Sequence, residues 1–358
     1  MNKGYSFDSS AWMNEVENMK TTKNTLKLTL FFILSFSILD CRSVLEKPDK
    51  YSNHSYWYRY QRFLPDAMRF KEKDLPKEEF WTWKMNQIHL DRYESTEGKK
   101  SDCLVLLLHG GGGNGRILGT LAKPIRNAGC DVLAPDLPGY GLSGIHKDYI
   151  IHYDDWVVLA SDLINKERKE YKKIYLFGLS IGGMLAYHSA SFNGSIDGII
   201  ATTLVDPRDS EVRDAISANL FLSRVGMPLN NIFYWVTDDV NVPIKWLSKM
   251  EYITNDPSFS EVFSKDPNAG GSKVSFRFLR TFLNYTPKVE PENFTICPVL
   301  LLHPGIDPWT PLPLSEKTFF KIPSKKKLVV LEGAGHFPYE EPGSSQMIRE
   351  IDLFLKTN

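Results

Sequence analysis

The chain has 358 residues, 42% hydrophobic and 24% charged, an ordinary globular composition that excludes disorder, collagen and a multi-span membrane protein. Its 43 Lys and Arg balance 43 Asp and Glu, with no long basic block, so nucleic acid is excluded as a charge-driven partner and a diffusing small molecule is the better fit. Four cysteines (Cys41, Cys103, Cys130, Cys297) form no CxxC pair and suggest no disulfide framework; Cys103 and Cys297, beside apolar runs, read as buried free thiols.

In chain order, the first feature is the apolar stretch Leu28 to Leu39, preceded by Lys20, Lys23 and Lys27, the charged and apolar regions of an export signal. At 12 residues it is short of the roughly 20 that span a bilayer. The polar 18 residues before Met19 make Met19 a plausible start. From there the sequence resembles a bacterial lipoprotein signal with Cys41 as the lipidated residue, although Asp40 stands where a small residue is usual. Membrane anchoring through Cys41 is therefore the first expectation, with secretion to the periplasm or medium, or a structural N-terminal helix, as alternatives. Residues 42–79 carry many rings, among them Tyr51, Trp57, Tyr60, Phe63 and Phe70. They read as an extension packed on the main domain or as a membrane-facing tether.

From residue 80 strands alternate with helices, the pattern of an α/β sheet covered on both faces. Phe80 to Lys84 and Gln87 to Tyr93 are expected as antiparallel lead-in strands, and Cys103 to His109 as a buried strand followed by a glycine-rich turn and a helix to about Ala128. Then come a strand at Asp131 to Asp136, a helix at His152 to Lys169, a strand at Ile174 to Leu179, a helix at Ile181 to Ser191 and a strand at Ile196 to Val205. The rhythm breaks over 207–296 and resumes with Val299 to His303, Leu314 to Phe320, Lys327 to Leu331 and Gly343 to Leu355. The domains are thus 1–41 (extension and signal), 42–79 (aromatic, charged segment), a core of 80–206 and 297–358, and an insertion at 207–296.

The strand ending at Leu179 runs into Gly178-Leu179-Ser180-Ile181-Gly182 and then a helix, a G-x-S-x-G elbow that lifts a serine hydroxyl above the sheet on a strained turn. A serine needs a base, and the base an orienting carboxylate. Asp307 follows the resumed strand and His336 the next one, giving the order Ser, Asp, His of α/β-hydrolases. Asp206, after the strand before the insertion, is the competing acid. Upstream, His109 and the four glycines 110–113 match the loop that supplies one oxyanion N–H, at Gly111, the other coming from Ile181.

On four motifs the chain resembles the α/β-hydrolase family over about residues 80 to 356: HGGGGNG at 109–115, DLPGYGLS at 136–143, GLSIG at 178–182, and GID with AGH at 305–307 and 334–336. Within that family it is similar to lidded serine hydrolases of the monoglyceride lipase and S33 aminopeptidase kinds. The resemblance implies a mostly parallel sheet with helices on both faces, a lid formed by 207–296, and an ester or amide hydrolase with Ser180 as nucleophile, His336 as base, Asp307 as orienter and no cofactor. The lid's apolar stretches around Leu220 to Val225 and Ile232 to Trp235 incline the substrate toward a small-molecule ester of hydrophobic or lipid-like character; at least half of these residues are expected in the lid's own core, and Phe233 and Trp235 are the ones expected in the acyl pocket, with the lid core as their alternative.

Other readings compete. An aminopeptidase needs acids for the substrate's ammonium, and Glu211, Asp238, Asp239 and Glu251 are available; a hydrolase fold kept as a non-catalytic binding module is the reading from another class. Gly110-x-Gly112-x-x-Gly115 with Asp136 is formally a dinucleotide fingerprint, but it leaves the Ser180, Asp307 and His336 loops without a role. No GK[ST], HExxH or HxH occurs, so neither a phosphate loop nor a metal site is indicated. His109 is expected to brace the oxyanion loop, His188 to sit satisfied in the core and His303 at a strand end.

Overall fold

A computed structural model describes residues 49–95 and 101–358. The expectations placed on Met19, Leu28 to Leu39 and Cys41 fall outside these residues. The sheet is built from β1 (Lys77–Trp83), β2 (Asn86–Tyr93), β3 (Cys103–Leu108), β4 (Asp131–Pro135), β5 (Lys173–Gly178), β6 (Gly198–Ala201), β9 (Val299–Pro304) and β10 (Lys326–Leu331), with β7 (Asn241–Pro243) and β8 (Lys273–Ser275) forming a separate hairpin in the insertion. Its order is β1-β2-β4-β3-β5-β6-β9-β10; β1 and β2 are antiparallel and all strands from β4 onward run parallel. Strands such as β3 (CLVLLL) and β5 (KIYLFG) read as continuous apolar runs because both faces are covered by helices.

The helices are α1 (Ser55–Tyr60), α2 (Gly115–Leu118), α3 (Ala122–Asn127), α4 (Tyr153–Glu167), α5 (Ile181–Asn193), α6 (Ser210–Ile216), α7 (Met227–Ile232), α8 (Tyr234–Thr237), α9 (Pro257–Lys265), α10 (Phe276–Leu283), α11 (Leu312–Phe319) and α12 (Gly343–Thr357). The helix expected as one piece to Ala128 is divided into α2, a single 3₁₀ turn at Gly119–Leu121 and α3. In the parallel part of the sheet, β3, β5, β9 and β10 all point their carboxyl ends to one edge, where ligands of open α/β sheets bind. The His109 loop, Ser180, Asp307 and His336 follow those four ends.

Cys103 is not a free thiol: it is joined to Cys130, their Cα atoms 4.7 Å apart. The cause is register, since Leu104 pairs with Asp131 in the parallel β3/β4 ladder and the residues just before them are brought side by side. Cys297 is buried and free, and burial pushes its thiol up to about 12. The strand expected from Ile196 to Val205 is only Gly198–Ala201; the Thr202 N–H makes a last bond to the Gly178 carbonyl of β5, and beyond it the Thr202 and Thr203 hydroxyls hold the serine loop.

The insertion is fastened to the core by α10 (FRFLRTFL). Its Phe278 and Phe282 face inward, meeting Trp156 and Tyr153 of α4 with ring centroids 4.6 and 5.0 Å apart, while Arg277 and Arg280 grip Asp238 outside. Residues 51–70 form an arm whose Tyr51, Trp57, Tyr60, Leu64 and Met68 are buried.

Candidate active site

Ser180 stands between β5 and α5 with φ 58° and ψ −127°, a conformation costly for any side chain but glycine. It is held there by its surroundings. A Cβ on Gly178 would collide with the Gly182 carbonyl, one on Gly182 with the Leu108 carbonyl, and one on Gly183 with the Thr203 carbonyl. The backbone of Ser180 is gripped from both sides: its N–H donates to Thr202 Oγ1 at 3.1 Å and its carbonyl accepts from Thr203 Oγ1 at 3.0 Å. These two threonines were missed in the sequence; their only signal is a hydroxyl pair ending an otherwise apolar strand, GIIATTLV.

Asp307 and His336 are brought together. Asp307 Oδ2 lies 2.8 Å from His336 Nδ1 and accepts from Thr310 Oγ1 at 2.7 Å, while Oδ1 accepts the N–H groups of Trp309 and Thr310 at 2.9 and 3.0 Å. Burial works to raise the Asp307 pKa, but the neighbouring His336 and the Thr310 hydrogen bonds outweigh it and hold the carboxyl well below its usual range. With Nδ1 committed to Asp307, His336 Nε2 is buried and has no hydrogen-bond partner among the described residues. The imidazole lies on the Trp309 ring, centroids 4.5 Å apart, and Trp309 lines the same cavity as Ser180. Asp206 is engaged elsewhere: it and Glu290 clasp Arg208, tying together the two ends of the insertion.

The glycine loop after β3 meets the serine directly. A Cβ at Gly110 would come within 2.9 Å of both the Leu179 carbonyl oxygen and Ser180 Cβ, so the loop lies against the elbow because that residue is bare, and one at Gly111 would crowd Ile181 Cδ1 at 3.2 Å. His109 braces this loop, with Nδ1 at 2.8 Å from the Gly110 carbonyl and Nε2 accepting the Leu137 N–H at 2.9 Å. That pattern requires neutral imidazole, and burial lowers its pKa to about 4. Asp136 anchors the next turn, accepting from Gly115 N, Leu142 N and the Tyr51 hydroxyl, and so has no oxygen left for a ribose. His188 is buried against the Tyr153 hydroxyl at 2.9 Å, and His303 is buried in β9.

Ser180 opens into a cavity of about 70 Å³ under the insertion. Its walls include Met227, Ile244, Leu247, Leu279, Phe282 and Leu283; its polar side chains are the hydroxyls of Ser180, Ser217, Ser248 and Thr310 and the Trp309 indole, and none of the described residues lining it is charged. A second, smaller cavity lies across Ser180, shared through Gly111 and Trp309 and walled by Ile117, Phe263 and Phe337. The expectation that Phe233 and Trp235 line the acyl pocket is overturned: both point outward, in an exposed apolar layer with Leu220, Phe221, Ile232 and Trp246. Nor do the four acids considered for an ammonium reach the cavity. Asp238 holds Arg277 and Arg280, Asp239 pairs with Arg277, Glu211 with Lys317, and Glu251 is an exposed residue outside the lining.

Among the described residues, Glu78, His89 and Asp91 have ligand atoms close enough for a metal ion. That space is taken by the Arg116 guanidinium, whose Nη2 lies 2.8 Å from Asp91 Oδ1 and 3.2 Å from Glu78 Oε1.

A family model described as "Serine aminopeptidase, S33" matches residues 99–343. The chain is 22% identical over 279 residues to Phospholipase YtpA of Bacillus subtilis (strain 168), covering 76% of this chain and 98% of that protein. Its fold is similar to that of a soluble variant of monoglyceride lipase from Saccharomyces cerevisiae, solved with a substrate analog (TM-score 0.62, 16% identity, 80% of this chain and 97% of that one). It is likewise similar to monoacylglycerol lipase of Paleococcus ferrophilus (TM-score 0.58, 22% identity, 77% and 98%). With the match spanning most of the chain and the strand order fitting the fold, the protein belongs to the S33 serine aminopeptidase family of the α/β-hydrolase superfamily.

Proposed function

We propose that the protein is a serine carboxylic ester hydrolase acting on lipid-like esters. The observation that carries this reading is the placement of Ser180, held in a strained elbow, in an apolar cavity whose lining also includes Trp309 and Thr310, the two residues that contact the buried Asp307–His336 pair. Ser180 Oγ attacks the ester carbonyl carbon while His336 Nε2 takes its proton, and the oxyanion is received by the N–H groups of Gly111 and Ile181 at the dipole-positive start of α5. Collapse expels the alcohol, which recovers the proton from His336. Water, deprotonated by the same nitrogen, then attacks the acyl-enzyme, the acid departs and Ser180 regains its proton.

The exposed apolar layer on the insertion supports capture of substrate from a lipid surface, since Met227 of α7 and Ile244 of the 3₁₀ turn Ile244–Trp246 line the cavity while Ile232 and Trp246 at the other ends of those two elements are exposed. The names of the phospholipase and monoacylglycerol lipase relatives point the same way. An aminopeptidase is disfavoured by the absence of an acid in the cavity lining. Fluorophosphonate labelling of Ser180, followed by rates on p-nitrophenyl esters of rising chain length, monoacylglycerols and aminoacyl anilides, tests the reading. Cleavage of the anilides in preference to every ester would overturn it.

Export, with the chain anchored through Cys41 or secreted, belongs to the same proposal. The Cys103–Cys130 disulfide supports an oxidising compartment. Mass spectrometry of protein from its native host should find a chain beginning near Cys41, with a lipid adduct in the anchored form; an intact Met1 terminus on soluble cytoplasmic protein counts against both.

A further inference from the structure

The insertion divides into two parts with different attachments. Residues 218–249 carry the exposed apolar layer, whereas residues 250–271 are fastened to both loops that frame the site. On one side, Phe337 N donates to the Ile253 carbonyl at 2.7 Å, and Glu340 accepts the N–H groups of both Asn255 and Gly335, bridging the segment to the His336 loop. On the other, Asn114, which caps α2 at the end of the glycine loop, donates through Nδ2 to the Asn268 carbonyl at 2.9 Å. A Cβ on Gly112 would touch Gly270 Cα and Met250 Sδ at 3.4 Å, so the segment lies directly on the glycine loop.

The arm grips this same segment and this same loop. Tyr60 Oη donates to Asp266 Oδ2 at 2.8 Å, and the Tyr60 and Phe63 rings pack on Phe259, centroids 5.3 and 5.5 Å apart. At its other end, Tyr51 donates to Asp136 Oδ2 at 2.8 Å, and the opposite oxygen of that carboxylate accepts the Gly115 N–H at 2.7 Å. The Arg116 guanidinium lies over the Tyr51 and Trp57 rings at 4.7 and 5.2 Å. The arm precedes residues 99–343, the part matched by the family model.

We propose that residues 51–70 are a strap that presses the 250–271 segment onto the glycine loop, making Tyr60 a positioning residue for the acyl-transfer site. This rests on the hydrolase reading above. An oxyanion donor must be held to a fraction of an ångström to act, so a loop freed at its outer face loses turnover before it loses substrate.

The test uses the full chain carrying Tyr60→Ala, which removes ring and hydroxyl, and Tyr60→Phe, which removes the hydroxyl alone. A short soluble p-nitrophenyl ester is the substrate, at a temperature well below every Tm. Tyr60→Ala is expected to lower kcat about tenfold with KM within about twofold, and to speed hydrogen exchange at both 110–118 and 250–271; Tyr60→Phe should retain most of the turnover. Cys297→Ser, a buried change at the opposite end of β9, is the control for stability loss alone and should leave kcat unchanged. Should Tyr60→Ala fail to fold, Phe63→Ala, which removes the arm's other ring from Phe259, replaces it, with faster exchange expected in the same two segments. Unchanged kcat and exchange confined to the arm, whatever the Tm, would overturn the strap. If the unaltered protein neither turns over esters nor labels at Ser180, the hydrolase reading fails, and coupled exchange between arm and glycine loop still decides the strap.

Discussion

A triad acid acts by holding imidazole in one tautomer and stabilising the imidazolium that forms during attack, so its identity is read from what reaches the histidine's inner nitrogen. Asp307 does so at 2.8 Å, and both of its oxygens are satisfied by Trp309 and Thr310. Asp307→Asn should therefore fold and yet lose about 10⁴ in kcat, since an amide there favours the wrong tautomer. Asp206→Asn should cost little in kcat and appear instead as a small loss of Tm from the Arg208 clasp; steady-state kinetics on matched folded variants check the ranking. His109 makes a pH prediction. Burial lowers its pKa from 6.5 to about 4, so between those values the unfolded chain binds a proton that the folded one refuses. Its contribution is thus full above pH 6.5 and is lost as pH falls toward 4. In urea titrations across that window, His109→Gln should flatten the slope of stability by up to about 1.4 kcal/mol per pH unit. Some slope should remain, because burial also lowers His188, to about 3. The strained turn at Ser180 and the meeting of Asp307 with His336 were legible in the sequence because each of these residues follows a recognisable strand. Thr202 and Thr203 were not, because nothing local shows that their strand ends early.

At the scale of elements, the insertion illustrates where periodicity stops being informative. Helix α7 (MPLNNI) puts Met227 into the cavity wall and buries the polar Asn230 beside it, while it exposes the apolar Leu229 and Ile232. An apolar outer face erases the contrast from which an inner face is normally deduced. That is why Phe233 and Trp235 were expected in the pocket and Met227 and Phe282 were not singled out. Narrowing the actual wall should shift chain-length preference. Met227→Trp or Leu279→Trp should lower kcat/KM for long acyl esters relative to short ones by about tenfold, as one to two kcal/mol of apolar contact is displaced. Trp235→Ala should leave that ratio on soluble esters unchanged; a shift equal to that of Met227→Trp would return Trp235 to the pocket. The short β7/β8 hairpin of the insertion was not read either, but the strands of the main sheet were more readable, apart from the early end of β6, since a parallel sheet covered on both faces demands continuous apolar runs such as β3 and β9. Register was not, and with it went the Cys103–Cys130 bond, which joins residues 27 apart through strand alignment alone.

For the whole molecule, the question is what the apolar exterior of the insertion meets. Phe221, Trp235 and Trp246 are 70%, 66% and 64% exposed, and they belong to one stretch of chain whose inner residues wall the cavity. With formal net charge zero, the protein has no general electrostatic attraction to an anionic surface, so attachment through this layer should rest on apolar burial and be insensitive to salt. Phosphatidylcholine vesicles carrying a monoacylglycerol test this, comparing the full chain with a Phe221→Ser, Trp235→Ser, Trp246→Ser variant that has the same N-terminus. Loss of even a few kcal/mol of partial burial should weaken vesicle binding at least about tenfold and lower the rate on the embedded ester in parallel. The rate on a soluble short-chain ester should be unaffected, because none of the three side chains lines the cavity. Equal binding and equal vesicle rates for the two proteins would assign attachment to the N-terminal segment alone. A parallel fall on the soluble ester would show instead that these residues hold the cavity's shape from outside, and the surface would lose its role in reaching lipid.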